Sequence, residues 1–302
     1  MTATIACTLP HGTTLHCRVS GDPGRPVLLF LHGFPEGAFI WDALLEHFSQ
    51  PVNGGYRCVA PYLRGFGASS SPADVAAYRP KFLVQDLTAL IAAECGDGVP
   101  LECLVAHDWG GAVAWNLANQ YPQLLHRLAI VNSPHPGAFV RELQHNAAQQ
   151  AASQYMHFLC RPDAEALLAE DDFRRLFAFF NAPDGTPPAW LTAEVRQQYR
   201  VLWQQGLTGA CNYYRASPLR PPQGGDPGAA AVNLPESMLQ VTVPTLVLWG
   251  MDDPALLPGL LDGLPGWVPK LQLQQVPGAS HWLVHEQPER LVRALGEFLQ
   301  AG

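Results

Sequence analysis

The chain has 302 residues, 48% of them hydrophobic, with a formal net charge of −8, a length and apolar content that suit one α/β domain carrying an insertion. The acidic balance leaves no basic footprint for nucleic acid and no polybasic patch for a membrane, and fits a neutral or weakly polar small-molecule partner. Seven scattered cysteines without a C-x-x-C pair read as reduced and buried, and neither a signal-type N-terminus nor a membrane-length apolar run is visible, so a soluble, cytoplasmic protein is expected.

In chain order, residues 4–8 and 14–20 read as an opening pair of strands and residues 26–31 as a fully buried one. A helix is expected over 38–48, a strand over 57–60, a helix over 80–93, and strands over 101–106 and 127–131. This alternation implies a mostly parallel, doubly wound sheet with helices on both faces. From Pro134 to about Pro235 the pattern is helical with no convincing buried strand, and strands resume at 244–249 and 271–276. The expected division is a core of residues 1–133 and 236–302 with a helical cap of residues 134–235 over the carboxyl ends of the strands, where ligands of open α/β sheets bind.

Four loops at that edge carry the chemistry. The strand ending at Ala106 feeds His107-Asp108-Trp109-Gly110-Gly111 and then a helical run, which makes a strand, a sharp turn and a helix with a carboxylate at the apex. Asp108 there is either a plain helix N-cap or a nucleophile, and the other three loops, appearing in order, favour the nucleophile. A carboxylate attacks carbon to give an ester that water must open, which suits displacement of an epoxide oxygen or a halide better than ester cleavage. No Gly-x-Ser-x-Gly is present. His32-Gly33-Phe34-Pro35 follows the buried strand, so the Phe34 and Trp109 amides are the expected oxyanion donors. Gly250-Met251-Asp252-Asp253 offers two carboxylates, either of which could orient a histidine, and Gly278-Ala279-Ser280-His281 places His281 after the last strand.

These four motifs resemble those of the α/β-hydrolase-fold epoxide hydrolases, the aspartate-nucleophile branch that haloalkane and haloacid dehalogenases share, and the resemblance spans most of the chain. It implies Asp253, the third residue after the loop glycine, as the acid. It also implies two lid tyrosines that hold and protonate the epoxide oxygen: Tyr155 in Gln154-Tyr155-Met156 and Tyr214 in Asn212-Tyr213-Tyr214-Arg215, with Tyr213 as an adjacent competitor and a lid-core role as the alternative for Tyr155. A phenol, with a pKa of about 10, can hydrogen-bond the oxygen as charge develops there.

The implied activity is opening of a small or medium organic epoxide to a vicinal diol, through an Asp108 ester hydrolysed by His281-activated water, with Trp109, Phe34 and the two tyrosines lining the substrate site. The partners are then a small-molecule epoxide and water, with no metal and no organic cofactor. His281 and His285 are four apart but lack a third ligand at metal spacing. Glu36 and His107 flank the catalytic loops and read as supports. The alternatives are dehalogenation, in which the Trp109 indole would hold the halide, and a hydrolase fold reused as a non-catalytic receptor. Against haloacids, Trp109 and Ala112 stand where the fluoroacetate dehalogenases carry arginines. Oligomeric state is left open by the sequence, a homodimer being compatible with it.

Overall fold

The computed structural model describes residues 2–300. Its strands form one sheet: β1 (Ala3–Thr8), β2 (Thr14–Ser20), β3 (Val27–Leu31), β4 (Arg57–Pro61), β5 (Cys103–His107), β6 (Leu128–Val131), β7 (Thr245–Gly250) and β8 (Leu271–Val276), in the order β1-β2-β4-β3-β5-β6-β7-β8. β2 pairs antiparallel with β1 and with β4, and every later pairing is parallel. β3, β5, β6 and β7 are buried throughout, which is why they read as unbroken apolar runs instead of alternating ones.

Helices α1 (Asp42–Phe48), α2 (Pro80–Cys95) and α3 (Asp108–Gln120) accompany the first half of the sheet. Between β6 and β7 the chain is helical: α4 (Pro136–His145), α5 (Ala147–Ala152), α6 (Tyr155–Cys160), α7 (Ala164–Ala178, kinked at residues 170–173), α8 (Ala193–Trp203) and α9 (Thr208–Ala216). Then come α10 (Leu264–Trp267), α11 (Leu283–Glu286) and α12 (Pro288–Gln300). In α12 the buried positions Leu291, Ala294, Leu295, Phe298 and Leu299 recur at helical spacing, and each large apolar side chain buried there contributes about 1.5–3 kcal/mol.

Alternate strand residues divide the core in two. Leu28, Phe30, Val105, Val131 and Leu248 pack with α1, α11 and α12 on one face. Leu29, Leu31, Leu104, Ile130 and Val247 pack with α2 and α3 on the other, and this second cluster runs without a break into the inserted helices through Leu159, Phe177 and Tyr199.

The sequence misplaces a few boundaries. The helix expected over 38–48 is a tight turn of 3-10 helix, Ala38–Trp41, followed by α1. The strand expected to stop at Ala106 continues through His107, so that Asp108 itself opens α3. β3 lies between β4 and β5, and the chain runs to one side after β3 and to the other after β5. The loops following those two strands therefore diverge at a topological switch point, the crevice where such sheets bind ligands.

Candidate active site

Because β5 meets α3 with no connecting loop, the backbone must reverse within one residue. Asp108 does so at φ +49, a left-handed conformation costing a non-glycine residue about 1–3 kcal/mol. Its surroundings hold it there. Ser133 Oγ donates to the Asp108 carbonyl at 2.6 Å. Gly110 packs where a Cβ would stand 2.6 Å from the His32 carbonyl oxygen, and Gly33 where one would stand 2.2 Å from Asp108 Oδ1. The carboxylate is thus pressed against the loop after β3, and the Phe34 amide donates to Oδ1 at 2.7 Å. Trp109 opens the first turn of α3, where amides have no intrahelical acceptor.

The other carboxylate oxygen faces a histidine, with Asp108 Oδ2 3.7 Å from His281 Nε2. On the far side of the ring, His281 Nδ1 meets Asp253 Oδ2 at 2.7 Å. Asp253 is buried and Asp252 exposed, which separates the two carboxylates that sequence alone left open. Asp253 also accepts from Asn132 Nδ2 at 2.8 Å and from the amides of Ala255 and Leu256 at 2.8 and 2.9 Å. Burial alone would raise the Asp253 pKa; the His281 charge and these donors outweigh it and hold the carboxyl below its usual range. Burial likewise opposes charge on His281, yet Asp253, with help from Asp108 and Glu36, raises its pKa to about 9. The base loop is fixed from behind, since Ser280 donates through its amide and its hydroxyl to Glu286, both at 2.7 Å.

Tyr155 and Tyr214 close over Asp108 from the inserted helices. Tyr214 packs edge-on against Phe34 and Trp109, each at 5.2 Å, with the Tyr155 ring 6.1 Å away. Burial, then the neighbouring Asp108 charge, pushes the Tyr155 phenol well above its ordinary value. Tyr214 is raised too, by burial first and then by Tyr155 and Asp108, while a side-chain hydrogen bond from Trp109 opposes the rise. Both phenols therefore stay protonated and are available as hydrogen-bond donors. The Tyr213 hydroxyl is committed elsewhere, donating to the Arg64 carbonyl at 3.0 Å.

A cavity of about 450 Å³ opens from Asp108, with Trp109, Tyr155, Met156 and Phe139 on its wall; of the residues expected to line the substrate site, Phe34 and Tyr214 are packed behind this wall, and the Tyr213 ring lines it instead. Such a volume falls within the range of small-molecule sites. The charged groups among the described residues on that wall are Asp108 and Lys81. Among the described residues no three His, Cys, Asp or Glu side chains converge as a metal site.

The α/β hydrolase fold family model matches residues 26–288. A Bacillus subtilis AB hydrolase superfamily protein is 33% identical over 96% of both chains. Epoxide hydrolase 3 of Xenopus tropicalis is 32% identical over 96% of this chain and 75% of its own. This chain belongs to the α/β-hydrolase-fold epoxide hydrolases. The Bacillus megaterium epoxide hydrolase crystallised with an inhibitor superposes with a TM-score of 0.87 at 30% identity, covering 98% of this chain and 99% of that one.

Several residues that shape this epoxide hydrolase site lack a sequence motif. Asn132 takes φ +41 after β6 and binds both Asp253 and the Gly250 amide; the one signal for it is an asparagine directly after a buried strand. Glu36 proves to be the centre of a second buried cluster. Its Oε1 accepts from Tyr199 OH at 2.7 Å and meets His285 Nε2 at 2.6 Å, while Oε2 lies 3.1 Å from His107 Nδ1. His107 Nε2 reaches the His281 carbonyl at 3.0 Å, and Trp190 stacks on His285 at 4.1 Å. Tyr199 and Trp190 come from the inserted segment and have no periodic relation to Glu36, so only the folded chain reveals the link.

Proposed function

We propose that this enzyme opens small or medium organic epoxides to vicinal diols through an ester on Asp108, with residues 134–235 acting as a cap over the reaction. The carrying observation is the Asp108 carboxylate, with Oδ1 on the Phe34 amide and Oδ2 beside His281, at the head of a mostly apolar cavity.

In this reading Oδ2 attacks a ring carbon, the ring C–O bond breaks, and its electron pair goes to the ring oxygen, which takes the Tyr155 proton with Tyr214 in support. Esterification removes the Asp108 charge, which had held protons on both Tyr155 and His281. Tyr155 thereby becomes a better acid and His281 loses its proton more readily. His281 enters protonated, returns a proton to the Tyr155 phenolate and becomes a neutral base. It then takes a proton from water, and the hydroxide adds to the ester carbonyl. The oxyanion forms on Oδ1, where the Phe34 amide already sits and Trp109 would add the second donor. Collapse breaks the bond between the carbonyl carbon and the alkyl oxygen, the departing oxygen takes the His281 proton, and the remaining carboxyl proton passes from Asp108 to His281.

One feature weighs against haloacid chemistry: among the described residues no arginine lines the cavity to clamp a carboxylate. The free cysteines support a reducing, cytoplasmic setting, and among the described residues no helix is long and apolar enough to cross a membrane.

Intact mass of His281→Gln after incubation with styrene oxide, and separately with a bromoalkane, tests the mechanism. A gain equal to the whole epoxide is expected. A gain of the alkyl group alone, seen only with the bromide, would transfer the enzyme to dehalogenation, and no adduct with either would remove Asp108 as nucleophile.

A further inference from the structure

The cavity is one-sided. From Asp108 it follows a single stripe of α3, through Trp109, Ala112, Val113, Asn116 and Gln120, a spacing that keeps all of them on one helix face. At 1.5 Å per residue this stripe is about 18 Å long. Asp108, Trp109 and Ala112 are half-buried, Val113 buried and Asn116 half-buried, and it is at Gln120, with Lys81 also on the cavity wall, that the stripe becomes exposed. The open end therefore lies at Gln120 and Lys81, and the blind end at Asp108.

Beside Asp108 stands a wall of packed rings, in which Phe34 is buried and Phe179 and Tyr155 are half-buried. Phe34 packs edge-on against Phe179 at 5.7 Å, and Phe179 against Tyr155 at 5.8 Å. The Trp282 indole pins this wall by donating to the Phe179 carbonyl at 3.1 Å. Phe34, Phe179 and Trp282 do not line the cavity.

An oxirane has two ring carbons. With the ring at the blind end, a substituent on one carbon can run out along α3, whereas a substituent on the other carbon is directed into the Phe34–Phe179 wall. We propose that the enzyme is selective for terminal epoxides bearing one long apolar substituent, and that Phe179 enforces this selectivity. The inference rests on the ring-opening function proposed above and adds the shape of the substrate.

The test compares kcat/KM for two isomers of epoxydodecane, one with the ring at the chain end and one with a trans ring at mid-chain, with propylene oxide as the short reference. The terminal isomer is expected to be favoured by about 10²-fold, as a second alkyl group meeting a filled wall should cost. Phe179→Ala should narrow that ratio at least about tenfold, and Ala112→Phe should lower the ratio of long to short terminal epoxides by a similar factor. Equal use of the two isomers by the wild type would overturn the proposal, as would a Phe179→Ala ratio unchanged from wild type. Absence of turnover on all three epoxides would instead overturn the ring-opening reading, and the selectivity with it.

Discussion

Two carboxylate–histidine clusters lie back to back in this molecule, their boundary marked by the rings of His107 and His281 4.7 Å apart. Asp253, His281 and Asp108 form one; Glu36, His107 and His285 form the other. Both combine carboxylates with imidazoles, two aspartates and one histidine in the first and one glutamate and two histidines in the second, but the settings differ more. In the first, His281 Nε2 looks across 3.7 Å at a carboxylate that lines a cavity. In the second, the fully buried Glu36 is covered by Tyr199 and His285 and is not on the wall of the cavity that opens from Asp108. The comparison teaches that a buried acid–histidine pair becomes a candidate for catalysis through what its far nitrogen faces. Without that opening, the same pair is a strut between the loop after β3 and helix α8.

The largest effect should separate the two clusters at once. Asp108→Ala should lower epoxide turnover by about 10⁵-fold or more, since a covalent route is lost entirely, while Glu36→Gln should keep kcat within about tenfold of wild type. Steady-state kinetics on styrene oxide reads both, and comparable losses in the two variants would erase the distinction.

Next comes Asp253→Asn, which leaves His281 without its anion and should reduce kcat by roughly 10²–10⁴-fold with ester accumulating on Asp108, visible by intact mass. The same cluster has a pH signature. His281 titrates near 9 in the folded chain against 6.5 ordinarily, so its contribution to stability is fully present below pH 6.5 and is lost as pH rises toward 9. The Tm advantage of wild type over His281→Gln should therefore shrink across that interval. An advantage that grows with pH would contradict the raised value.

Much of this arrangement is legible in the sequence because it depends on local order. Each of the four candidate loops follows a strand of the parallel part of the sheet, so strand ends at Leu31, His107, Gly250 and Val276 predict where Phe34, Asp108, Asp253 and His281 gather. Choosing between adjacent residues is another matter. The four loop motifs leave Asp252 and Asp253 open until burial is known, and the resemblance to a family supplied that choice. Tyr199 is invisible for a different reason: its partner Glu36 lies 163 positions away, and no spacing rule reaches across an inserted segment. The one-sided cavity depends on how Phe34, Phe179 and Trp282 pack, which hydrophobic patterning does not encode.

Glu36→Ala should be the sharpest probe of the strut. Removing one partner of a buried charged group costs about 3–5 kcal/mol, so thermal unfolding should fall by many degrees, and Glu36→Gln by less. Because the Glu36 carboxyl is held well below its ordinary value, by the neighbouring histidines against burial, its contribution is present above about pH 4.5 and is lost as pH falls. His281 and Glu36 therefore lose their contributions in opposite pH directions. Calorimetry of Glu36→Gln against wild type from pH 5 down to pH 3 should show the gap closing, and a constant gap across that interval would mean the Glu36 charge contributes nothing.

The adjacent tyrosines repeat the contrast at the smallest scale. Tyr213 and Tyr214 are both buried, but the Tyr213 hydroxyl donates to the Arg64 carbonyl, whereas Tyr214 interacts with Tyr155 and Trp109 above Asp108. Tyr214→Phe should slow ester formation by about 10–10²-fold, because Tyr155 remains as the proton donor and only its support is lost. Tyr213→Phe should leave that rate close to wild type and cost about 1 kcal/mol of stability, since a buried carbonyl loses its donor. Stopped-flow measurement of ester formation with each variant decides between them. If Tyr213→Phe slows ring opening as much as Tyr214→Phe, hydroxyl orientation is not what distinguishes the two, and the assignment of the acid pair to Tyr155 and Tyr214 fails.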